Sequence, residues 1–252
     1  MLKYKKNFKR MSCQACQLSQ QLDFDFTMAL QPIVNTKKHE IFAHEALVRG
    51  LNGESAGSVF SNVTEQNRYR FDQSCRVKAI ELAAGLDIPC FLNINFLPNA
   101  VYDPELCIRT TLETAERYKL PISQIIFEIT ESEKIEDISH LKRIVEYYKK
   151  RGFKTAIDDF GAGYAGLNLL SEIQTDFIKL DMALVRGIDQ DSIRQAIVKG
   201  VLQVSNEISS TIIAEGVETQ AELAALESLG IELFQGFYFA KPCFQALADV
   251  TF

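Results

Sequence analysis

A set of polar side chains stands at or near the carboxyl ends of short apolar runs spread along the chain. The set is rich in oxygen and holds one lysine: Glu45, Asn95, Glu128, Asp158, Asp159, Lys179, Glu215 and Gln235. Buried carboxylates need neutralising partners, and carboxylate and amide oxygens suit Mg²⁺ or Mn²⁺ better than structural zinc. If one carboxylate bridges two such ions, the arrangement is suited to phosphoester hydrolysis.

Residues 154–164 carry two adjacent carboxylates, Asp158 and Asp159, at the end of a short apolar stretch. Successive strand residues point to opposite faces, so both carboxylates converge only if the strand ends there and the chain bends. Gly161 and Gly163 tolerate positive φ and are expected to permit that bend. A solvated turn explains this stretch equally well by itself. The polar residues at the other strand ends favour a site.

Two further residues near these ends extend the predicted site. Arg49 shares a strand face with Glu45, so it is expected to meet an anionic substrate at the same place. The alternative for Arg49 is a surface salt bridge, which stabilises little. Asn93 and Asn95 also share a face, and Asn95 is preferred as the ligand because it lies nearer the strand end.

Composition excludes several classes of protein. The chain has 252 residues, 47% of them hydrophobic and 24% charged, with a formal net charge of -6. That charge argues against nucleic acid as the main partner. No apolar run is long enough to span a bilayer, and no apolar signal region follows the basic N-terminal residues. We therefore expect a cytoplasmic protein. Its three histidines, His39, His44 and His140, are expected to be structural or solvated rather than metal ligands.

The first 22 residues are predicted to form a tail, and residues 23–252 a single barrel domain. The tail contains Cys13 and Cys16, the one cysteine pair with metal or redox spacing. No second Cys/His pair stands near it, so a nonessential tail feature is favoured over a zinc or redox site.

The elements that position the polar residues alternate along the chain. Strands are predicted at about 27–34, 41–48, 91–95, 125–130, 154–159, 176–180, 211–215 and 233–237, and helices at about 58–84, 104–118, 139–151, 192–208 and 222–229. The first two strands are joined by a turn too short for a crossover helix, so they must be antiparallel. The later alternation predicts a parallel α/β sheet closed as a TIM-like (β/α)8 barrel with one antiparallel strand from the opening hairpin. A doubly wound open sheet is the alternative fold.

Short motifs in a fixed order connect this chain to a known family. Glu45-Ala46-Leu47-Val48-Arg49 resembles the signature of the EAL domain, the bacterial cyclic-di-GMP phosphodiesterases. The other matching motifs are Gln31-Pro32-Ile33, Asn95-Phe96-Leu97-Pro98, Glu128-Ile129-Thr130-Glu131, Asp158-Asp159-Phe160-Gly161, Lys179-Leu180-Asp181, Glu215-Gly216-Val217-Glu218 and Gln235-Gly236-Phe237. The resemblance runs from about Phe24 to the C-terminus. The loop after Phe160 differs from many members without losing a ligand.

The resemblance implies roles for the matching residues. One metal ion is held by Glu45, Asn95, Glu128 and Asp158, and a second by Asp158 and Asp159. Lys179 and Glu215 hold and help to activate the attacking water, with Lys179 mainly an orienting and electrostatic group. Substrate binding falls to Gln31, Arg49, Asp181 and Gln235. Glu131 is implied to stabilise the loop after the Asp158-Asp159 strand.

The implied activity is hydrolysis of cyclic-di-GMP to linear pGpG with two Mg²⁺ or Mn²⁺ ions. Ca²⁺ is expected to inhibit, because it prefers longer bonds and looser geometry. The resemblance also implies a homodimer near the Asp158-Asp159 loop, where Phe160 and Tyr164 are expected to offer apolar surface. A sensor or regulator protein is a further candidate partner, since no cyclase-like segment or recognisable sensor domain accompanies the barrel. Two alternatives stay open: a catalytically silent cyclic-di-GMP-binding module that signals through a protein partner, and a hydrolase of another phosphodiester.

Overall fold

The computed structural model describes residues 21–101, 103–129, 137–163 and 166–252. Within them, eight strands close into a ring in the order β1 to β8, and β9 pairs with β1 outside the ring. The strands are β1 Thr27–Asn35, β2 Glu40–Arg49, β3 Phe91–Phe96, β4 Ile125–Ile129, β5 Lys154–Phe160, β6 Phe177–Leu180, β7 Thr211–Ala214, β8 Leu233–Phe234 and β9 Cys243–Phe244. The closed ring confirms the predicted barrel and excludes the open doubly wound sheet.

The direction of β1 sets the geometry of the barrel opening. β1 is antiparallel to both of its ring neighbours, β2 and β8, whereas every pair from β2 to β8 is parallel. This confirms the prediction of one antiparallel strand from the opening hairpin. The register places Gln31 of β1 opposite Glu45 of β2. The middle of β1 therefore lies level with the second half of β2.

Helices connect the strands around the ring. They are α1 Ala56–Phe60, α2 Arg68–Gly85, α3 Pro104–Cys107, α4 Arg109–Tyr118, α5 Ile138–Arg151, α6 Leu167–Glu172, α7 Met182–Val185, α8 Ser192–Glu207 and α9 Gln220–Leu229. The prediction of one helix over 104–118 is wrong, because the helix is interrupted at Ile108. None of the helices in the described ranges is long and apolar enough to cross a membrane.

The predicted helix over 58–84 is also wrong, since α1 and α2 are separated by residues 61–67. Asparagine side chains explain the break. Asn67 accepts a hydrogen bond from the Thr64 amide (2.8 Å) and donates one to the Asn62 carbonyl (3.0 Å). Such side-chain bonds to nearby backbone replace the helical ladder.

The last ring strand is shorter than predicted, because β8 ends at Phe234 rather than at 237. After β8 the chain bonds to the loop that follows β7: the Val217 amide donates to the Gln235 carbonyl (3.2 Å), and the Tyr238 amide donates to the Val217 carbonyl (3.0 Å). This approach is so close that a Cβ at Gly236 would lie 2.0 Å from the Val217 oxygen. Only glycine fits this crossing of two backbones.

Buried apolar residues form a main core and a second, smaller cluster contributed by the ring strands. One buried residue comes from each of seven ring strands: Ile33, Ala43, Ile126, Ala156, Phe177, Ile213 and Leu233. Alternation along a strand puts each residue two positions away on the same face of the sheet. This apolar layer is therefore the layer next to the polar residues discussed below.

Candidate metal centre at the barrel mouth

The predicted polar residues form a layer directly above the apolar layer. Along β2, β4, β5 and β6, and one residue past the ends of β7 and β8, the polar residue follows the apolar one by two positions: Glu45, Glu128, Asp158, Lys179, Glu215 and Gln235. In antiparallel β1 the order is reversed, and Gln31 precedes Ile33 by two. The carboxyl ends of parallel strands meet at one end of a barrel. The sequence positions residues from seven strands at that end by simple alternation.

Lys179 stands at the centre of this layer. Its side chain is 1% exposed, and its Nζ contacts oxygens of four carboxylates. The distances are 2.7 Å to Glu215 Oε1, 2.9 Å to Asp158 Oδ1, 3.0 Å to the Glu128 carboxylate and 3.3 Å to Glu45 Oε2. The protein thus places one cation among four largely buried acidic groups. Further positive charge would stabilise this arrangement.

The pKa values of the site reflect burial first and Lys179 second. Burial and neighbouring carboxylates raise the pKa values of Glu128 and Glu215 well above the usual range and that of Asp159 to about 6. Burial by itself would raise the pKa of Glu45, but Lys179 and the Gln235 and Asn95 amides bring it below its usual value. Burial opposes the charged form of Lys179, yet the four carboxylates hold its pKa well above normal. Lys179 is therefore the cation of this cluster.

Two groups of carboxylates have the spacing of metal ligands. Ligand oxygens of Glu45, Glu128 and Asp158 lie within 4.8 Å of one another, as do those of Asp158, Asp159 and Glu215. Asp158 belongs to both groups, as a bridging ligand would. These oxygens suit hard divalent ions. The residues present therefore fit a two-metal centre.

The two asparagines of β3 complete the buried network. Asn95 Nδ2 donates to Glu45 Oε1 (2.7 Å), and Asn93 Nδ2 donates to Glu128 Oε1 (2.5 Å). The Oδ1 atoms of both asparagines are buried without a hydrogen-bond partner among the described residues. A buried amide oxygen without a partner is a ready ligand for a cation.

The bend at the end of β5 begins earlier than predicted, within the strand itself. The left-handed residues are Asp159 (φ +54°) and Gly161 (φ +105°), and Gly163 does not share this conformation. The prediction that Gly163 contributes to the bend is therefore wrong. Aspartate tolerates the left-handed region better than most residues. The strained backbone lies at a site residue, where such conformations tend to concentrate.

A pocket of about 280 Å³ opens over this centre. Its lining includes Asp158, Asp159, Lys179 and Glu215. Three of the four predicted substrate-binding residues also line it, namely Gln31, Asp181 and Gln235. Gln235 Nε2 donates to Glu45 Oε2 (2.8 Å) and to Gln31 Oε1 (3.2 Å). Asp181 caps α7 by accepting from the Ala183 amide (2.8 Å). These contacts fix the three side chains in place around the pocket.

Some predicted residues lie apart from the pocket. Arg49 does not line it, and its Nη1 donates to the Val48 carbonyl (2.7 Å). Glu131 and Tyr164, like Cys13 and Cys16, lie outside the described residues. Phe160 is buried at 4% exposure, so the expectation that it offers surface to a second copy is wrong. A register shift between Ile157 and Phe160 breaks the alternation, and Phe160 packs in the main core instead.

Sequence reasoning also missed residues that the structure brings to the site. Asn93 was passed over in favour of Asn95, although an amide inside an apolar strand is itself a signal of a buried polar network. Met182, Arg186, Glu218 and Phe237 line the pocket from loops and short helices. Loop residues follow no period, so alternation gave no signal for them.

Comparison with known proteins agrees with this geometry. The family model described as "EAL domain" matches residues 15–242. A standalone versatile EAL protein from Vibrio cholerae O395, solved in a c-di-GMP-bound form, is 61% identical with a TM-score of 0.89; the match covers 92% of this chain and 98% of that one. Klebsiella pneumoniae BlrP1 in a manganese and cyclic-diGMP complex is 37% identical with a TM-score of 0.85, covering 92% of this chain and 60% of that one.

Two curated relatives from Escherichia coli K12 carry different names. The blue light- and temperature-regulated antirepressor BluF is 31% identical over 94% of this chain and 59% of its own length. The "Probable cyclic di-GMP phosphodiesterase PdeA" is 32% identical over 62% of this chain and 21% of its own length. The chain therefore spans about three fifths of one relative and a fifth of the other.

Proposed function

The chain belongs to the EAL domain family, and on this premise we propose that it is a metal-dependent phosphodiesterase that hydrolyses cyclic-di-GMP to linear pGpG. The observation that carries the proposal is that two sets of three acidic residues, both of which include Asp158, lie beneath an open pocket. The names of its relatives support the substrate, since the V. cholerae and K. pneumoniae structures hold this nucleotide and PdeA is named for its hydrolysis.

The carboxylates divide between two ions in this proposal. Glu45, Asn95, Glu128 and Asp158 would hold one Mg²⁺ or Mn²⁺, and Asp158 and Asp159 would hold the other. Such ions, when bound, lower the pKa of a coordinated water and neutralise charge that grows on phosphate oxygens. Manganese in the BlrP1 complex supports this choice of metal.

Lys179 and Glu215 act on the attacking water. The Lys179 ammonium group lies among four carboxylates and can donate a hydrogen bond to that water. Lys179 therefore orients the water and stabilises negative charge in the transition state. Glu215, whose Oε1 lies 2.7 Å from Lys179 Nζ, is the neighbouring group that accepts a hydrogen bond from that water. Acting as a general base is only a secondary role for Lys179 in this proposal.

Substrate contacts are assigned to Gln31, Asp181 and Gln235 on the strength of their place in the pocket. Arg49 as a phosphate clamp and Glu131 as a loop-stabilising residue stay predictions from the sequence. The homodimer, a sensor or regulator partner and the cytoplasmic location also belong to this proposal.

A second candidate function is a binding module that senses cyclic-di-GMP and signals through a protein partner. The relative BluF favours it, because BluF is named an antirepressor rather than an enzyme. The chain retains every carboxylate that the resemblance implies, which favours the enzyme.

A panel of cyclic dinucleotides, incubated with Mg²⁺, Mn²⁺ or Ca²⁺ and analysed by chromatography, tests both functions. We expect turnover of cyclic-di-GMP to pGpG with Mg²⁺ or Mn²⁺ and little with Ca²⁺. Binding of cyclic-di-GMP without turnover at saturating Mn²⁺ would favour the sensory module. Faster cleavage of another dinucleotide would overturn the proposed substrate.

A further inference from the structure

A buried ion pair lies on helix α2, outside the carboxylate cluster. Arg76 Nη2 is 2.7 Å from Asp72 Oδ2, and both side chains are almost fully buried. Arg76 Nη1 also donates to the Tyr148 hydroxyl (3.0 Å). The guanidinium stacks near the rings of Phe96 and Phe127, 5.5 and 5.1 Å from their centroids. Burying two charges in this way is expensive and is weak evidence for stability alone.

The second oxygen of Asp72 reaches the strand that carries Asn95. Asp72 Oδ1 accepts a hydrogen bond from the Leu97 amide (3.0 Å), just beyond the end of β3. Leu97 follows Asn95 by two residues, and Asn95 donates to Glu45 in the metal centre. A hydrogen bond to a charged acceptor is stronger than one between neutral groups. Asp72 therefore holds the backbone immediately after a candidate ligand.

One side of this segment faces open space rather than packed side chains. A second pocket, of about 360 Å³, runs along Ile94, Asn95, Phe96 and Leu97 and is otherwise mostly apolar. Side chains beside such a space lack close neighbours on that side. The bond from the Leu97 amide to Asp72, beside this pocket, continues beyond β3 the pairing of Asn95 and Phe96 with β4.

We propose that Asp72 is a positioning residue for the divalent metal centre and that Arg76 holds Asp72 in place for it. The inference rests on the metal centre of the proposed function. Asp72 fixes the Leu97 amide, and through it the Asn95 side chain stays against Glu45 with its amide oxygen free for the ion. The competing explanation is that the pair only joins α2 to the barrel.

Two double variants separate these explanations. Asp72→Leu/Arg76→Met and Asp72→Asn/Arg76→Met both remove the charged pair, so neither leaves an unpaired buried charge. Only the asparagine variant keeps an oxygen able to accept from the Leu97 amide. Mn²⁺ affinity is measured on the metal-stripped full chain by electron paramagnetic resonance of free Mn²⁺, with folding verified by circular dichroism.

We expect the leucine variant to bind Mn²⁺ at least ~10-fold more weakly than the asparagine variant, as when a partner that orients a metal ligand is lost. Equal affinities would overturn the proposal. Should the leucine variant fail to fold, Leu97→Pro removes the same hydrogen bond from the donor side, and wild-type affinity there would also refute it.

The pair Lys154–Asp176 provides a matched control at the other end of the barrel. Asp176 likewise contacts a cation, Lys154 Nζ at 2.9 Å, and accepts from a backbone amide, Thr155 at 3.0 Å. Its Asp176→Leu/Lys154→Met variant should keep wild-type Mn²⁺ affinity, and a matching loss there would reject a specific role for Asp72.

Because the readout is metal binding, the inference survives if Mn²⁺ binds as expected but cyclic-di-GMP is not cleaved. If wild type hydrolyses and the Asp72 variants bind Mn²⁺ equally, the inference alone fails.

Discussion

Replacing Lys179 by methionine is the sharpest test of the charge balance in this site. Methionine keeps most of the side-chain volume but removes the cation that contacts four carboxylates at 2.7 to 3.3 Å. Removing one partner of a buried ion pair typically costs about 3–5 kcal/mol. Glu128 and Glu215 already have raised pKa values and can take up protons, so we expect a loss near ~3 kcal/mol in metal-free buffer.

Urea unfolding in the presence of a chelator measures this loss. Lys154→Met is the matched control, because its lysine is 45% exposed and, among the described residues, pairs with a single carboxylate, that of Asp176. An exposed pair of that kind contributes about 0.2–1 kcal/mol. Saturating Mn²⁺ should restore part of the stability of Lys179→Met, since the ions neutralise the same carboxylates.

The same variant should lower kcat by about 10²-fold with a smaller change in KM, the loss typical of one preorganised electrostatic group. Equal stability of Lys179→Met and Lys154→Met without metal would contradict the role of Lys179 as the cation that balances the four carboxylates. An effect confined to KM would make Lys179 a substrate clamp instead.

Three other outcomes follow from the structure. Asp158→Asn, which neutralises the carboxylate common to both ligand groups, should abolish hydrolysis while cyclic-di-GMP binding weakens less; wild-type turnover at saturating Mg²⁺ would reject the bridging role. Gly236→Ala should destabilise the fold measurably by thermal melting, because its Cβ would overlap the Val217 backbone, whereas Gly200→Ala in helix α8 meets no atom within 4 Å and should stabilise by about 0.5–1 kcal/mol. Replacing Mn²⁺ by Ca²⁺ should leave the protein stabilised in a thermal melt yet nearly inactive, and full activity with Ca²⁺ would contradict the expected geometry.

Alternation along strands made most of the barrel layer predictable. Ile126 and Glu128, or Ala156 and Asp158, show why: an apolar residue followed two positions later by a polar one fixes both the face and the end of the strand. Alternating strands and helices then require a parallel sheet, and eight strands at this chain length favour a closed ring.

Prediction failed where local backbone geometry replaced alternation. The register shift before Phe160 turns its side chain into the core. The left-handed conformation of Asp159 places the bend earlier in the chain. Asparagine bonds to the backbone split one predicted helix in two. Rim residues such as Met182 and Arg186 come from irregular segments, whose contacts depend on the finished fold rather than on any period in the sequence.

The reversed direction of β1 places the start of the barrel and the C-terminus of the chain on opposite sides of the ring. Thr27 pairs with Arg49 at the end of β2, so the polypeptide reaches β1 from the side where the pocket opens. The other end runs away from it: the ring of Phe252 packs 5.7 Å from that of His39, in the turn at the far side of the barrel. A tag fused after Phe252 is therefore carried to the closed side of the barrel, away from the rim that substrates must cross.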